Sequence, residues 1–476
     1  MTKTQTGAPG GRWPAQIRYI IGNEACERFS YYGMRSVLAG YITGAVLKGG
    51  LGQSEDMATS TIHLFVCANY FTPLLGAWLS DKLIGRYHTI LWVSMLYCVG
   101  NGVLACSDWI GGVDDKMNCL YVGLGLIALG SGGIKPCVSA FVGDQFRPEQ
   151  SHLLQKAYGA FYWAINFGSF FSFLVIPWVK DRWGFGIAFG VPGVLMAIAT
   201  LVFWLGTRLY VRVPPSRQTQ TAGFFTIFWQ ALCARRAPGV PFWEAAAGRF
   251  SRQDIDAAKS VLPILFVFSL VPAFWMLFDQ TNSTWVMQGL KMVPVKMWGM
   301  DFGAEQMQSA NPALVMLLVP LLTLVVYPRI GRFAAPLKRM AAGMFLGVIS
   351  FLLVAAIQAR LEAGAQLSIL LQLVPYLILT AAEVLVSSTG LEFAYREAAP
   401  EMKSMIMSFW LLTVAVGNLM IVGITKVFGS ADPGAHASVS TSRFLMYAGL
   451  CFVVALLFSV LTAKYKYRDE AAARGA

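Results

Sequence analysis

The sequence predicts an all-α membrane protein with twelve transmembrane helices in two six-helix bundles. Three observations carry this expectation. The chain of 476 residues is 56% hydrophobic and only 13% charged, which is too apolar for a soluble chain and matches a polytopic helical membrane protein. Apolar runs long enough to cross a bilayer recur throughout, at roughly 16–47, 59–82, 87–107, 118–143, 153–179, 184–209, 259–289, 309–328, 334–358, 367–395, 402–427 and 440–465. A single long polar stretch divides these runs into six and six.

Charge placement sets the expected sidedness. About 25 of the 37 Lys and Arg residues fall on one set of connecting segments and about 9 on the other. The first set includes Lys82, Arg86, Arg147, Lys156, Arg329, Arg332, Lys338, Arg339, Lys464 and Lys466. The positive-inside rule then puts both termini in the cytoplasm. The net charge of +12 follows membrane sidedness, so it does not point to nucleic acid. The first residues are polar and Gly-rich, and the first apolar run is too long and too charged for a cleavable signal, so none is expected. The eight cysteines are scattered and read as small core residues, with Cys106 and Cys119 flanking one loop.

The first span is the most unusual. Glu24, Glu27, Arg28 and Arg35 lie inside it, and an ionisable group in hydrocarbon costs at least ~2.5 kcal/mol. At about 100° per residue, Glu24, Arg28, Tyr31 and Arg35 fall within a ~60° arc. The helix therefore turns a charged, phenolic stripe inward and an apolar back to lipid. Between spans two and three, Asp81 and Arg86 are placed to pair with neighbouring helix ends. The polar stretch after span six holds Pro214, Pro215, Arg217, Arg235, Arg236, Arg249 and Arg252 around an apolar, aromatic segment from Phe224 to Leu232. That pattern suits a helix lying on the inner leaflet. The expected units are 15–210, 211–258 as a linker with an amphipathic helix, and 259–467. Two bundles rocking about a midplane site is the outline of a transporter.

Depth along the helices groups the other buried charges. Glu24 and Lys135 each lie about eight residues from the cytoplasmic end of their spans, so Lys135 is a candidate partner for Glu24 or Glu27. His63 and Asp279 both fall toward the outer face. Glu383 falls near the midplane, and Glu392 faces the other side of the same helix, nearer the cytoplasm. Arg28, Arg35 and Lys135 oppose Glu24, Glu27, Asp279 and Glu383, which leaves one carboxylate without a cation. Such a group takes up a proton or awaits a cationic ligand. A cavity cationic on one side and acidic on the other, at Glu383, suits a zwitterion.

Several stretches are similar to those of a known family. The loop Gly76-Ala-Trp-Leu-Ser-Asp81-Lys82-Leu-Ile-Gly85-Arg86 resembles the loop signature of the major facilitator superfamily. Glu24-Ala-Cys-Glu27-Arg28-Phe29-Ser30-Tyr31-Tyr32-Gly33 looks like the ExxER motif of its proton-dependent oligopeptide transporter family. So do Gly130 to Phe146 around Lys135, Phe161 to Ser169, Phe274 to Gln280, Thr389 to Phe393, and Trp410 to Asn418. The resemblance covers essentially the whole chain. It implies a major facilitator fold in the cell (inner) membrane, and symport of di- and tripeptides, and of peptide-like drugs, with protons as the coupling ion and no other cofactor. Membrane lipid is the only other partner it implies.

Carried over by position, the resemblance makes Glu24, Glu27, Arg28 and Lys135 the proton-coupling set. Arg28, Arg35 and Lys135 would face the peptide carboxylate. Asn166, Asn311 and Glu383 would hold its amino end. Tyr31, Tyr32, Tyr70, Tyr162, Trp275 and Trp410 would line side-chain pockets. His63, with Asp279, would form an outer proton relay, as a histidine does in animal members. Those members carry a basic residue where this chain has Pro263, and a large extracellular domain where it has only Ala359 to Leu367. A same-fold alternative is transport of nitrate or another small anion, which would have no use for Glu383. A substrate sensor or non-transporting scaffold is a further class. An enzyme is not expected, because no Ser/His/Asp set, metal-ligand spacing or phosphate-binding Gly loop occurs.

Overall fold

In the computed structural model the described residues are 13–147, 150–215, 223–234, 239, 241–297, 299–331, 335–399, 402–429, 438–463, 465 and 467. Arg217, Arg235, Arg236, Arg332, Lys464 and Lys466 lie outside them. The molecule is helical almost throughout. Its first half comprises α1 (Ile17–Ser36), α2 (Leu38–Thr43), α3 (Glu55–Leu79), α4 (Gly85–Ala105), α5 (Val113–Asp144) and α6 (Ser151–Leu205). A linker follows with α7 (Phe224–Cys233). The second half holds α8 (Arg252–Lys259), α9 (Val261–Phe268), α10 (Pro272–Phe278), α11 (Thr284–Gly289), α12 (Ala304–Met307), α13 (Ala310–Pro320), α14 (Tyr327–Ile330), α15 (Pro336–Glu362), α16 (Leu373–Glu397), α17 (Lys403–Phe428) and α18 (Thr441–Thr462). Among the described residues, eight helical stretches are long and apolar enough to cross a membrane, or nine if one bent pair counts as a span.

Helix starts follow local chemistry. Ser54 caps α3 by accepting from the Met57 amide, with Glu55 and Asp56 in the first turn where the helix dipole favours them. Ser251 and Ser440 cap α8 and α18 in the same way. Two reversals are made by glycine. Gly85 (φ 79°) separates α3 from α4, and Gly184 (φ 85°) folds the 55 residues of α6 back on themselves. Both need a backbone conformation that a side chain resists.

The structure departs from the expected spans in three places. The run 16–47 is not one rod: the helical pattern breaks at Val37, between α1 and α2. The run 259–289 is divided between α9, α10, a 3₁₀ turn (Asp279–Asn282) and α11, with a 41° bend at the break between Phe268 and Pro272. Asp279 therefore sits in a tight turn, not within a regular helix. A short antiparallel hairpin, β1 (Val295–Met297) with β2 (Met300–Phe302), adds strand to a fold expected to be wholly helical. Cys106 and Cys119 are free thiols, and Cys119 Sγ donates to the Val103 carbonyl instead.

One close helix approach is made where two glycines face one another. A Cβ on Gly76 of α3 would stand 2.6 Å from the Gly133 Cα and carbonyl oxygen of α5. Within the halves α1 packs on α6, α4 on α5, and α15 on α16 and α18; across the halves α3 packs on α17 and α13 on α6. The linker helix α7 buries Phe224, Ile227 and Ala231 against Trp243 and Phe409, leaving Phe225, Trp229 and Leu232 exposed.

Gly76→Ala should lower the thermal transition of the detergent-solubilised protein, because backbone cannot yield to the new methyl and overpacking costs about 1–3 kcal/mol. Gly102→Ala, which meets nothing within 4 Å, should hold or raise it. Equal transitions for the two variants would show that the α3–α5 contact is not tight.

Candidate functional site

The inward stripe of α1 meets a second stripe from the other half. Arg28 Nε lies 2.6 Å from Glu24 Oε1 and 3.1 Å from Glu27 Oε2, so one guanidinium serves two carboxylates a turn apart. Glu27 Oε1 also accepts from Ser131 Oγ of α5 at 3.3 Å. All of this lies out of solvent, with Glu24 and Glu27 buried. A shared cation offsets much of the desolvation that a lone carboxylate would suffer.

Lys135 does not make the expected pairing. Among the described residues it forms no ion pair within 4 Å. Its ammonium sits over the Tyr31 ring at 4.6 Å and the Tyr70 ring at 4.9 Å. Two aromatic faces stabilise a partly desolvated cation, each by roughly 0.5–2 kcal/mol. The physical reason is competition: Arg28, on the same helix as the two carboxylates, already occupies them. Tyr31 also carries Arg35 at 5.9 Å, so it lies between two cations.

The outer relay takes a form the sequence did not indicate. His63 does not touch Asp279. Its Nδ1 lies 2.7 Å from Asn418 Oδ1 and its Nε2 lies 2.7 Å from Ser283 Oγ. Asn418 Nδ2 donates to Asp279 Oδ2 at 2.6 Å and to the Val414 carbonyl at 2.9 Å. Two acceptors hold the amide nitrogen on that side, so Asn418 turns its oxygen to the histidine. Nδ1 is then the protonated ring nitrogen of the neutral imidazole, and Nε2 accepts from Ser283. Asp279 is joined in turn by Arg35 Nη2 at 3.5 Å. The chain Arg35, Asp279, Asn418, His63, Ser283 crosses between the halves three times.

Further contacts close the same end of the molecule. Lys180 reaches Glu305 at 2.5 Å, Lys291 reaches Glu55 at 2.7 Å, and Gln308 Nε2 donates to the Ser36 carbonyl at 3.0 Å. Ser438 donates to Asp56, and the Val439 amide to Glu55 at 3.2 Å. At the opposite end Arg86 grips Asp144 at 2.6 Å and lies 3.8 Å from Asp81, all within the first half. Arg339 grips Glu392 at 2.6 Å within the second.

A cavity of about 200 Å³ lies below the closed end, between the halves. Arg35, Tyr32, Tyr70, Tyr162, Asn166, Trp275, Asp279, Asn311 and Glu383 all line it. Tyr31, Trp410, Lys135 and Glu24 do not. Tyr31 is buried, edge-on to Tyr32 and stacked on Phe65, and Trp410 is buried edge-on to Phe268 and Trp275. They brace lining residues from behind. Glu383 Oε2 accepts from Asn311 Nδ2 at 2.7 Å, while Asn166 donates to the Tyr162 carbonyl in its own helix. The cavity thus has a cation, Arg35, engaged by Asp279, and a carboxylate, Glu383, held by an amide. Residues that sequence reasoning gave no role include Ser283, Asn418, Gln308 and Glu305. A signal existed for Asn418, a carboxamide in an otherwise apolar run, but a search restricted to ionisable groups passes over it.

Comparison with known proteins agrees with this architecture. Residues 87–438 match the model of the POT family. The chain is 38% identical over 376 residues to solute carrier family 15 member 2 of Rattus norvegicus, covering 74% of this chain and 50% of that protein. It is 36% identical over 380 residues to peptide transporter family 1 of Drosophila melanogaster, covering 75% and 49%. The chain thus spans about half the length of these curated relatives. Among solved structures, that of the POT family transporter PepTSo superposes with a TM-score of 0.87 at 38% identity, covering 96% of this chain and 99% of that one. An auto-inhibited POT family peptide transporter gives 0.86 at 38%, covering 95% and 98%. A multi-pass helical membrane protein with these matches, six stretches of similar sequence and a polar cavity between its halves belongs to the POT family.

Proposed function

We propose that the protein is a proton-coupled symporter that imports di- and tripeptides by alternating access. One observation carries the reading most: Arg35, engaged by Asp279, and Glu383, of opposite charge to Arg35 and from the opposite half, line one cavity whose wall is otherwise rich in aromatic and amide side chains. A zwitterion with separated ends satisfies both. The names of the relatives, peptide transporters among them, support the same substrate class.

Several finer points belong to this reading. Two of the apolar stretches, Glu55–Trp109 and Leu153–Arg208, are of double length and reverse at Gly85 and Gly184. Counted as two crossings each, and with α1 and the bent pair included, they bring the total to twelve. With both termini cytoplasmic, the latched end faces outside, and units 15–210 and 259–467 rock against each other while the linker, 211–258, lies at the inner face. The protein sits in the inner membrane. Arg35, with Lys135 drawn from the Tyr31 face, receives the peptide carboxylate. Glu383, Asn311 and Asn166 receive its amino end. Tyr32, Tyr70, Tyr162 and Trp275, backed by Tyr31 and Trp410, shape the side-chain pockets.

Coupling follows from competition for cations. In the closed-outside state Arg28 holds Glu24 and Glu27, and Asp279 holds Arg35. A proton on Glu24 or Glu27 frees Arg28, and one on Asp279 or His63 weakens the seam. Each protonation therefore shifts the balance between the two arrangements of the halves. An anion carrier is the second reading, and Glu383 in the cavity wall opposes it.

In proteoliposomes, dialanine should accumulate under an inward proton gradient; no gradient-driven accumulation would overturn the symport reading. Glu24→Gln should lose proton-driven uptake yet keep peptide counterflow. If counterflow disappears as well, Glu24 serves binding or folding. Glu383→Gln should weaken binding of dialanine by about 10–100-fold, the size of a lost charge-assisted hydrogen bond, while an N-acetylated dipeptide changes little. His63→Gln should alter the pH profile of uptake, and an unchanged profile would leave His63 a packing residue.

A further inference from the structure

A second cavity lies on the outside of the bundle, away from the transport site. This groove of about 490 Å³ is walled by Leu64, Phe65 and Ala68 of α3, Leu124 and Gly125 of α5, and Lys426 of α17. Leu64 is exposed and the groove opens sideways through it, toward the surface that the apolar helices present to lipid. Phe65 and Leu124 form the floor and are buried. A Cβ on Gly125 would meet nothing within 4 Å, so the glycine leaves an empty trough. The walls are almost wholly apolar, and the single full charge is an ammonium.

The level of that charge matters. Lys426 is two residues from the end of α17, and Met57, which also lines the groove, is in the first turn of α3. The mouth is therefore at the membrane–water boundary of the latched end, and the trough runs from it toward the hydrocarbon. Among the described residues Lys426 has no carboxylate partner within 4 Å, so its charge is available to a ligand. An amphiphile with a negative head and an apolar tail matches both ends of the groove.

We propose that the groove binds an anionic phospholipid, with its phosphate group at Lys426 and one acyl chain lying between α3, α5 and α17. This does not depend on what the protein carries. The site straddles the seam, since α3 and α5 belong to the first half and α17 to the second. A chain seated on α3 and α5 adds contacts to Val422 and Lys426 only while α17 stays packed on α3, so the lipid favours the state closed at this end. Behind the floor stands Tyr31, which braces the wall of the transport cavity without lining it. Phe65 stacks on Tyr31 at 6.2 Å, and Tyr31 carries Lys135 on its ring.

The full-length protein is reconstituted with phosphatidylglycerol bearing a photoreactive diazirine in one acyl chain, and labelled peptides are mapped by mass spectrometry. Peptides containing Leu64 and Leu124 should be labelled. Lys426→Gln should reduce that labelling about fivefold, as expected for loss of one cation beside an anionic headgroup. Gly125→Leu, which fills the trough, should abolish it for phosphatidylglycerol and for a phosphatidylcholine probe alike. If Gly125→Leu does not fold, Lys426→Gln, at an exposed position, still decides the matter. Labelling of these peptides that neither variant changes would overturn the site. Equal labelling by both lipids, with Lys426→Gln inert, would overturn the anionic assignment.

Discussion

A charge taken out of water needs a partner, and this chain supplies many of those partners across the seam between its halves. Arg35 and His63 come from the first half, and Asp279, Asn418 and Ser283 from the second. None of the five is exposed. Pulling the halves apart would strip several buried polar groups at once, at a cost of about 1–3 kcal/mol for each left unsatisfied. The closed arrangement is thus not held by apolar packing alone. Water, a proton or a ligand must replace the lost partners before the seam can part, and this links its opening to what the solution offers.

The remaining charges show the same economy at unequal places. Arg28 serves two acids, Lys135 rests on two tyrosine rings, and Glu383 leans on an amide. Among the described residues neither Lys135 nor Glu383 has an opposite charge within 4 Å. Lys180 with Glu305 and Lys291 with Glu55 lie outside this circuit and tie the halves directly, closer to the surface.

Much of this was legible in the sequence, because membrane burial makes ionisable residues stand out. The stripe of Glu24, Glu27, Arg28 and Arg35, and the placing of Glu383 and Asn311 together, needed only helical periodicity, depth and the family resemblance. Periodicity could not choose among partners. It gave Lys135 to Glu24 or Glu27, whereas Arg28 wins by lying one turn away on the same helix. It set His63 beside Asp279, where an asparagine intervenes. A reading that follows ionisable groups passes over neutral polar residues, so Asn418 and Ser283 received no role. The 3₁₀ turn that holds Asp279 lies in a polar run, Asp279 to Thr284, which a reading of span length alone passes over.

The left-handed turn at Gly184 has a topological consequence. Without it, α6 would be a rod of 55 residues, about 80 Å long beside a hydrocarbon layer of about 30 Å. The insertion machinery would then face one crossing where the fold needs two. Membrane topology is a matter of parity: losing one reversal swaps the side of every segment that follows. The basic linker would be sent toward the wrong compartment, and the second half would present its latch and cavity inverted relative to the first. The reversal at one glycine, Gly184, thus bears on which way the second half faces.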